Sequence, residues 1–397
     1  MPYRSRYCFD PMQFHSIFMH VGNLQHKPDR LLENHMSIKH LEEYRNPALS
    51  RPLIDRIHHI SRTPIRIMEV CGTHTVSIFR SGIRGILSET ITLLSGPGCP
   101  VCVTAQHEID AFIALANLPD VIVATFGDLI RVPGTFGSLR ERKAEGKDIR
   151  MVYSTMDALE IARNHPDKTV VFAGIGFETT APTVAAAIQT AGNMGLSNFL
   201  VYSACKTVPP ALNALVTDKS NRIDGFLLPG HVSVILGLQA YRPLVESAHI
   251  PCVVAGFEPS DILQAILMLV EQIESGEARL ENAYPRAVTE AGNRKAMQMM
   301  AEVFDSGDAT WRGMGVLPQS GLCIRPAYAR FDAGAVLKPD VRHSKEPVGC
   351  GCGDVLKGIK TPPECPLYKT VCNPMKPVGP CMVSSEGTCA AWYRYHR

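Results

Sequence analysis

The stretch Thr90-Ile-Thr-Leu-Leu-Ser-Gly-Pro-Gly-Cys-Pro-Val-Cys102 decides how the rest of the chain is read. Thr90 to Leu94 is an apolar run, Gly96-Pro97-Gly98 breaks it, and two cysteines follow in C-x-x-C spacing. Beyond them Ile109, Phe112, Ile113 and Ala116 recur at i, i+3, i+4 and i+7, the period of an amphipathic helix. Cys99 and Cys102 are therefore expected where a strand turns into a helix. Backbone N–H groups and the helix dipole there favour thiolate over thiol. An intracellular C-x-x-C in such a βα setting reads first as a redox pair. The bland alternative is two inert cysteines or half of a zinc site.

The same alternation extends on both sides. From about residue 52 to 260 short β-type runs alternate with helix-like segments: Ile65–Val70, Thr90–Ser95, Val121–Phe126, Met151–Tyr153, Thr169–Ala173, Phe199–Ser203, Gly225–Leu228 and Cys252–Ala255. Strands separated by helices form βαβ units and parallel sheets, whose ligand sites lie at the carboxyl ends of strands. The chemistry should sit in the turns after these runs. A faint repeat accompanies the alternation. Val70-Cys-Gly-Thr-His-Thr75 and Ile175-Gly-Phe-Glu-Thr-Thr180 lie at an offset of 180 − 75 = 105, and Cys102-Val-Thr and Cys205-Lys-Thr at 205 − 102 = 103. Two similar α/β domains in tandem are expected. Past residue 260, Ile262, Ile266, Leu269 and Val270 make a helix face, and Ala291–Val303 another.

Composition narrows the class. The 397 residues are 45% apolar and 20% charged with net charge +2, so there is no electrostatic case for nucleic acid or an anionic membrane. No apolar segment is long enough to span a bilayer, and no signal-peptide order appears, which argues for the cytosol. Thirteen cysteines in a cytosolic chain point to metal or redox use. Residues 1–35 lack a sustained period and are expected to be disordered or a mis-called start, with Met36 the biological start and Cys8 given no role.

Three constellations carry chemistry. Cys71-Gly-Thr-His-Thr75 puts Cys71 at a strand end, with Thr73 or Thr75 able to cap the next helix; a thiolate there is a soft-metal ligand or nucleophile. His74 could ligate or move protons, or be a satisfied structural histidine. Gly174-Ile-Gly176-Phe-Glu178-Thr-Thr180 begins like a dinucleotide fingerprint, but Thr179 stands at the third glycine position and no acid lies between Glu178 and Asp218, so a nicotinamide site is disfavoured. Glu178 is an acid/base candidate, with capping of helix N–H groups as the alternative. His231 in Leu228-Pro-Gly-His231 and Asp128 in Phe126-Gly-Asp128 are second-tier candidates. Finally, residues 348–397 hold six cysteines and little periodicity, so the segment needs a staple. Cys350, Cys365, Cys372 and Cys389 supply four thiolates, enough for one [4Fe–4S] cluster, with Cys352 able to replace Cys350. Zinc would call for paired knuckles of closer spacing.

Together, Cys71-Gly-Thr-His-Thr75, Gly96-Pro-Gly-Cys-Pro-Val-Cys102, Gly176-Phe-Glu-Thr-Thr180 and Gly379-Pro-Cys-Met-Val-Ser-Ser-Glu-Gly-Thr-Cys389 resemble the HypD family of [NiFe]-hydrogenase maturation proteins. The motifs span about 320 residues in one order. The resemblance implies two tandem Rossmann-like parallel-sheet domains and a small [4Fe–4S] domain: residues 36–148, 149–260 and 348–397, with a helical connection over 261–347. It implies a scaffold for the Fe(CN)2CO unit, working with a HypC-type chaperone and, transiently, a HypE-type cyanide donor. Cys71 would then be the iron ligand, Cys99 and Cys102 the redox pair, and the four spaced cysteines the cluster ligands. On this expectation electrons pass from the cluster through Cys99/Cys102 to the iron on Cys71. The rival reading is a free-standing cluster-and-dithiol oxidoreductase acting on disulfides; a third treats every cysteine as a zinc staple.

Overall fold

Eleven strands carry the architecture of the computed structural model, which describes residues 47–218, 220 and 222–396. They are β1 Ile65–Glu69, β2 Ile91–Ser95, β3 Val121–Thr125, β4 Ile149–Met151, β5 Thr169–Gly174, β6 Phe199–Ser203, β7 Gly225–Pro229, β8 Cys252–Ala255, β9 Leu280–Asn282, β10 Phe304–Trp311 and β11 Gly315–Ile324. The first nine form two parallel sheets, ordered β2-β1-β7-β8-β9 and β4-β3-β5-β6. Their central strands are covered on both faces, which is why Val-Ile-Val-Ala in β3 and Val-Val-Phe-Ala within β5 are continuously apolar and buried. The expectations for residues 1–35, Met36 and Cys8 lie outside the described residues.

Two parallel sheets agree with two α/β units, but they are interleaved rather than in tandem. The chain lays down β1 and β2, crosses to build β3 to β6, then returns to place β7 directly beside β1, with Ile67 opposite Gly225. The expected division at 148/149 therefore does not follow the sheets: β3, inside 36–148, joins the second sheet, and β7 and β8, inside 149–260, join the first. Nothing in a single strand's apolar run says which neighbour it will pair with. The faint repeat does map onto adjacent parallel pairs, β1/β2 and β5/β6.

Two stretches differ from expectation. The strand read at Met151–Tyr153 ends at Met151, because Ser154 and Asp157 form a capping box that starts the helix Thr155–Asn164 and leaves Tyr153 exposed. The region 261–347, expected to be helical, also contains β9 and the antiparallel hairpin β10/β11. Asp305, Ser306, Asp308, Pro318 and a register shift between Gly307 and Ala309 conceal that hairpin from a simple apolar count.

The last fifty residues dock on the carboxyl edges of both sheets. The helix Thr388–Tyr395 packs on Gly72–Arg80, with Trp392 edge-on to Phe79 at 5.4 Å. Arg131 Nη2 donates to the Val383 carbonyl at 3.0 Å, and Arg66 Nη2 to that of Gly358 at 3.1 Å.

Candidate functional site

β1 ends at Glu69, and Cys71 occupies the cap position of the helix Gly72–Arg80 with extended backbone, φ −155° and ψ 124°. The neighbouring strand β2 ends at Ser95, and Cys99 caps the short helix Pro100–Val103. The two turns are stitched together: Gly96 N–H donates to the Glu69 carbonyl at 2.8 Å, and Gly72 N–H to that of Gly98 at 3.2 Å. A Cβ on residue 98 would lie 2.2 Å from the Cys71 nitrogen, so only glycine permits this approach. Cys71 and the C-x-x-C turn thus form one site.

Cys99 and Cys102 are buried and joined as a disulfide, with Cα atoms 5.2 Å apart. Cys71 is buried as a free thiol. The expectation that a helix start favours thiolate is outweighed there: burial pushes the thiol up to about 12, with the Glu386 carboxylate adding to the rise, against backbone N–H groups that lower it. Beneath it, Glu69 accepts from Thr75 Oγ1 at 2.5 Å and from Cys71 N–H at 3.3 Å. Burial raises the Glu69 carboxyl to about 7 despite these bonds.

His74 is brought beside Cys71 in sequence but turned elsewhere. Its Nε2–H donates to the Gly256 carbonyl at 2.8 Å, and its ring stacks on Phe257 at 4.7 Å. Burial lowers it to about 4, so it is neutral at pH 7. His231 stacks on Phe257 as well, at 3.8 Å. The ring sandwich joins the turns after β7 and β8 to the Cys71 helix. His74 Nδ1 is buried without a hydrogen-bond partner, so the ring is satisfied at one nitrogen only.

Glu178 lies at the edge of the second sheet, in the turn after β5. Its Oε1 accepts from Val208 N–H at 2.9 Å, at the start of the helix Val208–Thr217, while Oε2 is buried without a partner. Burial raises it to about 7. One oxygen of Glu178 therefore caps a helix, and the other stays buried and unpaired. Asp128, in the turn after β3 of the same sheet, holds the C-terminal region: its Oδ2 accepts from Ser385 N–H at 2.9 Å and Ser385 Oγ at 3.0 Å. The 384–387 loop then reaches Cys71, where Thr73 Oγ1 donates to Glu386 Oε1 at 2.6 Å. A side chain on residue 72 would meet the Glu386 Cβ at 2.5 Å. The loop is the cover of the Cys71 turn.

All six cysteines of the C-terminal region line one pocket, with Leu367, Tyr368, Gly379 and Met382. Cys352 and Cys381 are its innermost pair, with Sγ atoms 2.6 Å apart. Cys352 also contacts Cys350, and Cys381 contacts Cys389, so the inner pair is continuous with two of the four cysteines expected from spacing. Backbone N–H groups point at two of these sulfurs, Gly351 to Cys365 at 3.3 Å and Val378 to Cys372 at 3.4 Å. Among the described residues no three His, Cys, Asp or Glu side chains close around a single metal ion. The metal-ligating groups lining the pocket are all thiols, a donor set that fits an iron–sulfur cluster and equally a four-cysteine zinc ion. The helix Pro380–Val383, carrying Cys381, packs on Pro100–Val103, carrying Cys102.

Sequence reasoning misses Glu69, Glu386, the Cys352/Cys381 contact, and the buried pair Lys206–Glu108, with Nζ to Oε1 2.7 Å. Glu386 stands inside the C-terminal motif; its partner Thr73 lies 313 positions away and carries no signal of the contact.

Residues 48–396 match a family model described as "HypD: Hydrogenase formation hypA family". The chain is 46% identical over 368 residues to the hydrogenase maturation factor HypD of Escherichia coli strain K12, covering 91% of this chain and 99% of that protein. It is 45% identical over 370 residues to HypD of Rhodobacter capsulatus, covering 90% and 98%. With HypD of Azotobacter vinelandii the identity is 44% over 369 residues, covering 91% and 97%.

Proposed function

The chain belongs to the HypD family of hydrogenase maturation factors, and from that premise we propose that it is the scaffold on which the Fe(CN)2CO unit is assembled. Cys71 holds the iron, which is cargo. The observation that carries this reading is the contact of Gly98 with the Cys71 backbone, which sets a single thiol against a C-x-x-C disulfide. Soft sulfur suits low-valent iron that binds cyanide and carbon monoxide. A HypC-type chaperone supplies a second iron ligand, and a HypE-type protein delivers cyanide to the same site.

Cys350, Cys365, Cys372 and Cys389 are the residues that would hold a [4Fe–4S] cluster, which supplies one-electron chemistry when bound. The chain's own dithiols exchange two electrons and two protons on passing from disulfide to paired thiols. The packing of the Cys381 helix on the Cys102 helix supports an internal path to the C-x-x-C pair. Burial of both Cys99 and Cys102 argues against free exchange with disulfides in solution, and so against the free-standing oxidoreductase.

The deciding experiment is infrared spectroscopy of the iron-loaded complex with a HypC-type partner. Wild type is expected to give cyanide and carbonyl bands, and Cys71→Ala to lose them. Bands of equal intensity in the variant would remove Cys71 from the role.

A further inference from the structure

The cysteine pocket has an inner and an outer side, and the outer side carries exposed lysines. Cys352 and Cys381 are buried toward the C-x-x-C helix, whereas Cys350 and Cys389 are partly exposed. On the outer side Tyr368 lines the pocket and meets Tyr393 edge-on at 6.4 Å. Lys369 Nζ lies over both rings, 5.6 and 5.7 Å from their centres. Lys369 has φ +59°, a left-handed conformation uncommon for lysine, held in the tight loop by its N–H donating to the Cys372 carbonyl at 3.1 Å. Val371 (53% exposed), just before Cys372, and Met375 (87% exposed) and Lys376, in the turn after it, are all exposed.

No aspartate or glutamate occurs from Cys365 to Ser385. The nearest acid before that stretch, Glu364, is engaged by Thr361 N–H and Oγ1, and the next after it, Glu386, by Thr73. Lys369, Lys376 and Arg394 make no ion pair among the described residues. An exposed apolar centre with a cationic rim over a sulfur-lined pocket has the anatomy of a transient docking face. Weak electron-transfer encounters need only a small face, steered by opposite charge.

We propose that this face, built by Lys369, Val371, Met375, Lys376 and Tyr393, docks a small acidic one-electron carrier protein, which reduces the group held by the cysteines. The inference rests on the reading of the pocket as a cluster site. Each encounter passes one electron from the reduced carrier, which leaves oxidised by one electron. Two such encounters, with two protons, match the reduction of one disulfide to two thiols.

The test uses the full chain, with iron content and visible absorbance recorded first, and a plant-type [2Fe–2S] ferredoxin as probe. Wild type should bind the ferredoxin at low salt and lose affinity as salt rises. Lys369→Glu/Lys376→Glu should weaken binding about 10-fold or more, equivalent to about 1.4 kcal/mol, and slow reduction by ferredoxin. Photoreduction by a small deazaflavin should proceed at the wild-type rate in both proteins. Lys369→Ala/Lys376→Ala should show an intermediate loss and serves if the reversed variant does not fold. Normal absorbance with no ferredoxin binding, or with affinity unchanged in the variants, overturns the docking face alone. A colourless, iron-free wild-type protein overturns the cluster reading, and this inference with it.

Discussion

At the scale of single residues, the decisive group is one with no side chain. Gly98 brings the C-x-x-C turn onto the Cys71 backbone, and an alanine there would have to push apart two hydrogen-bonded turns. Gly98→Ala should cost about 3 kcal/mol, the upper end for overpacking a rigid interior. Urea unfolding would measure it; a midpoint within error of wild type would contradict the contact. Glu178 offers a pH test. Its folded-state value of about 7 exceeds the ordinary 4.5, so between these limits the folded protein holds a proton that the unfolded chain has released. Stability contributed by this group is therefore intact below about pH 4.5 and declines as pH rises toward 7. Glu178→Gln keeps an oxygen for Val208 N–H and removes the ionisation. It should gain stability at pH 8 relative to pH 4.5 by about 2–3 kcal/mol compared with wild type, since each tenfold change in proton affinity between the folded and unfolded chain is equivalent to about 1.4 kcal/mol. Parallel pH–stability curves for the two proteins would refute this.

At the scale of elements, the second sheet is tied to the C-x-x-C segment by one buried ion pair. Lys206, just past β6, reaches both carboxylate oxygens of Glu108 at 2.7 and 2.8 Å, on the helix Gln106–Asn117. Glu108 also accepts from Ala105 N–H at 2.7 Å, so the pair anchors the start of that helix. Lys206→Met leaves a buried carboxylate uncompensated and should destabilise by about 3–5 kcal/mol. Combining it with Glu108→Gln should recover part of the loss in a double-mutant cycle; purely additive costs would mean the two side chains do not interact. The hairpin β10/β11 has a similar bracing role, with Arg312 donating to the Thr104 carbonyl at 3.0 Å and to Gln106 Oε1 at 3.1 Å.

At the scale of the molecule, the C-terminal region is both the cysteine pocket and the cover of Cys71. The 384–387 loop lies between Cys381 and Cys389 and is held by Asp128 from one sheet and Thr73 from the other. Thr73→Val with Asp128→Ala should loosen the cover and raise the alkylation rate of Cys71 several-fold, with little loss of global stability, because both bonds are partly exposed. Peptide mass mapping after a timed iodoacetamide pulse would score it, and an unchanged rate would show that another element shields the thiol. The chain by itself determined seven of the eight strands expected between residues 65 and 255, the turns that bear Cys71, Cys99, Cys102 and Glu178, and the separate character of residues 348–397, because apolar period, Gly-Pro punctuation and cysteine spacing are local properties. Only the tertiary structure decided the interleaving of the two sheets, the turning of His74 toward Gly256, the pairing of Cys352 with Cys381, and the closing of Glu386 over Cys71. Each of these joins residues far apart along the chain, or sets burial against local electrostatics. Packing settles such contests, and no single stretch of sequence contains both sides of them.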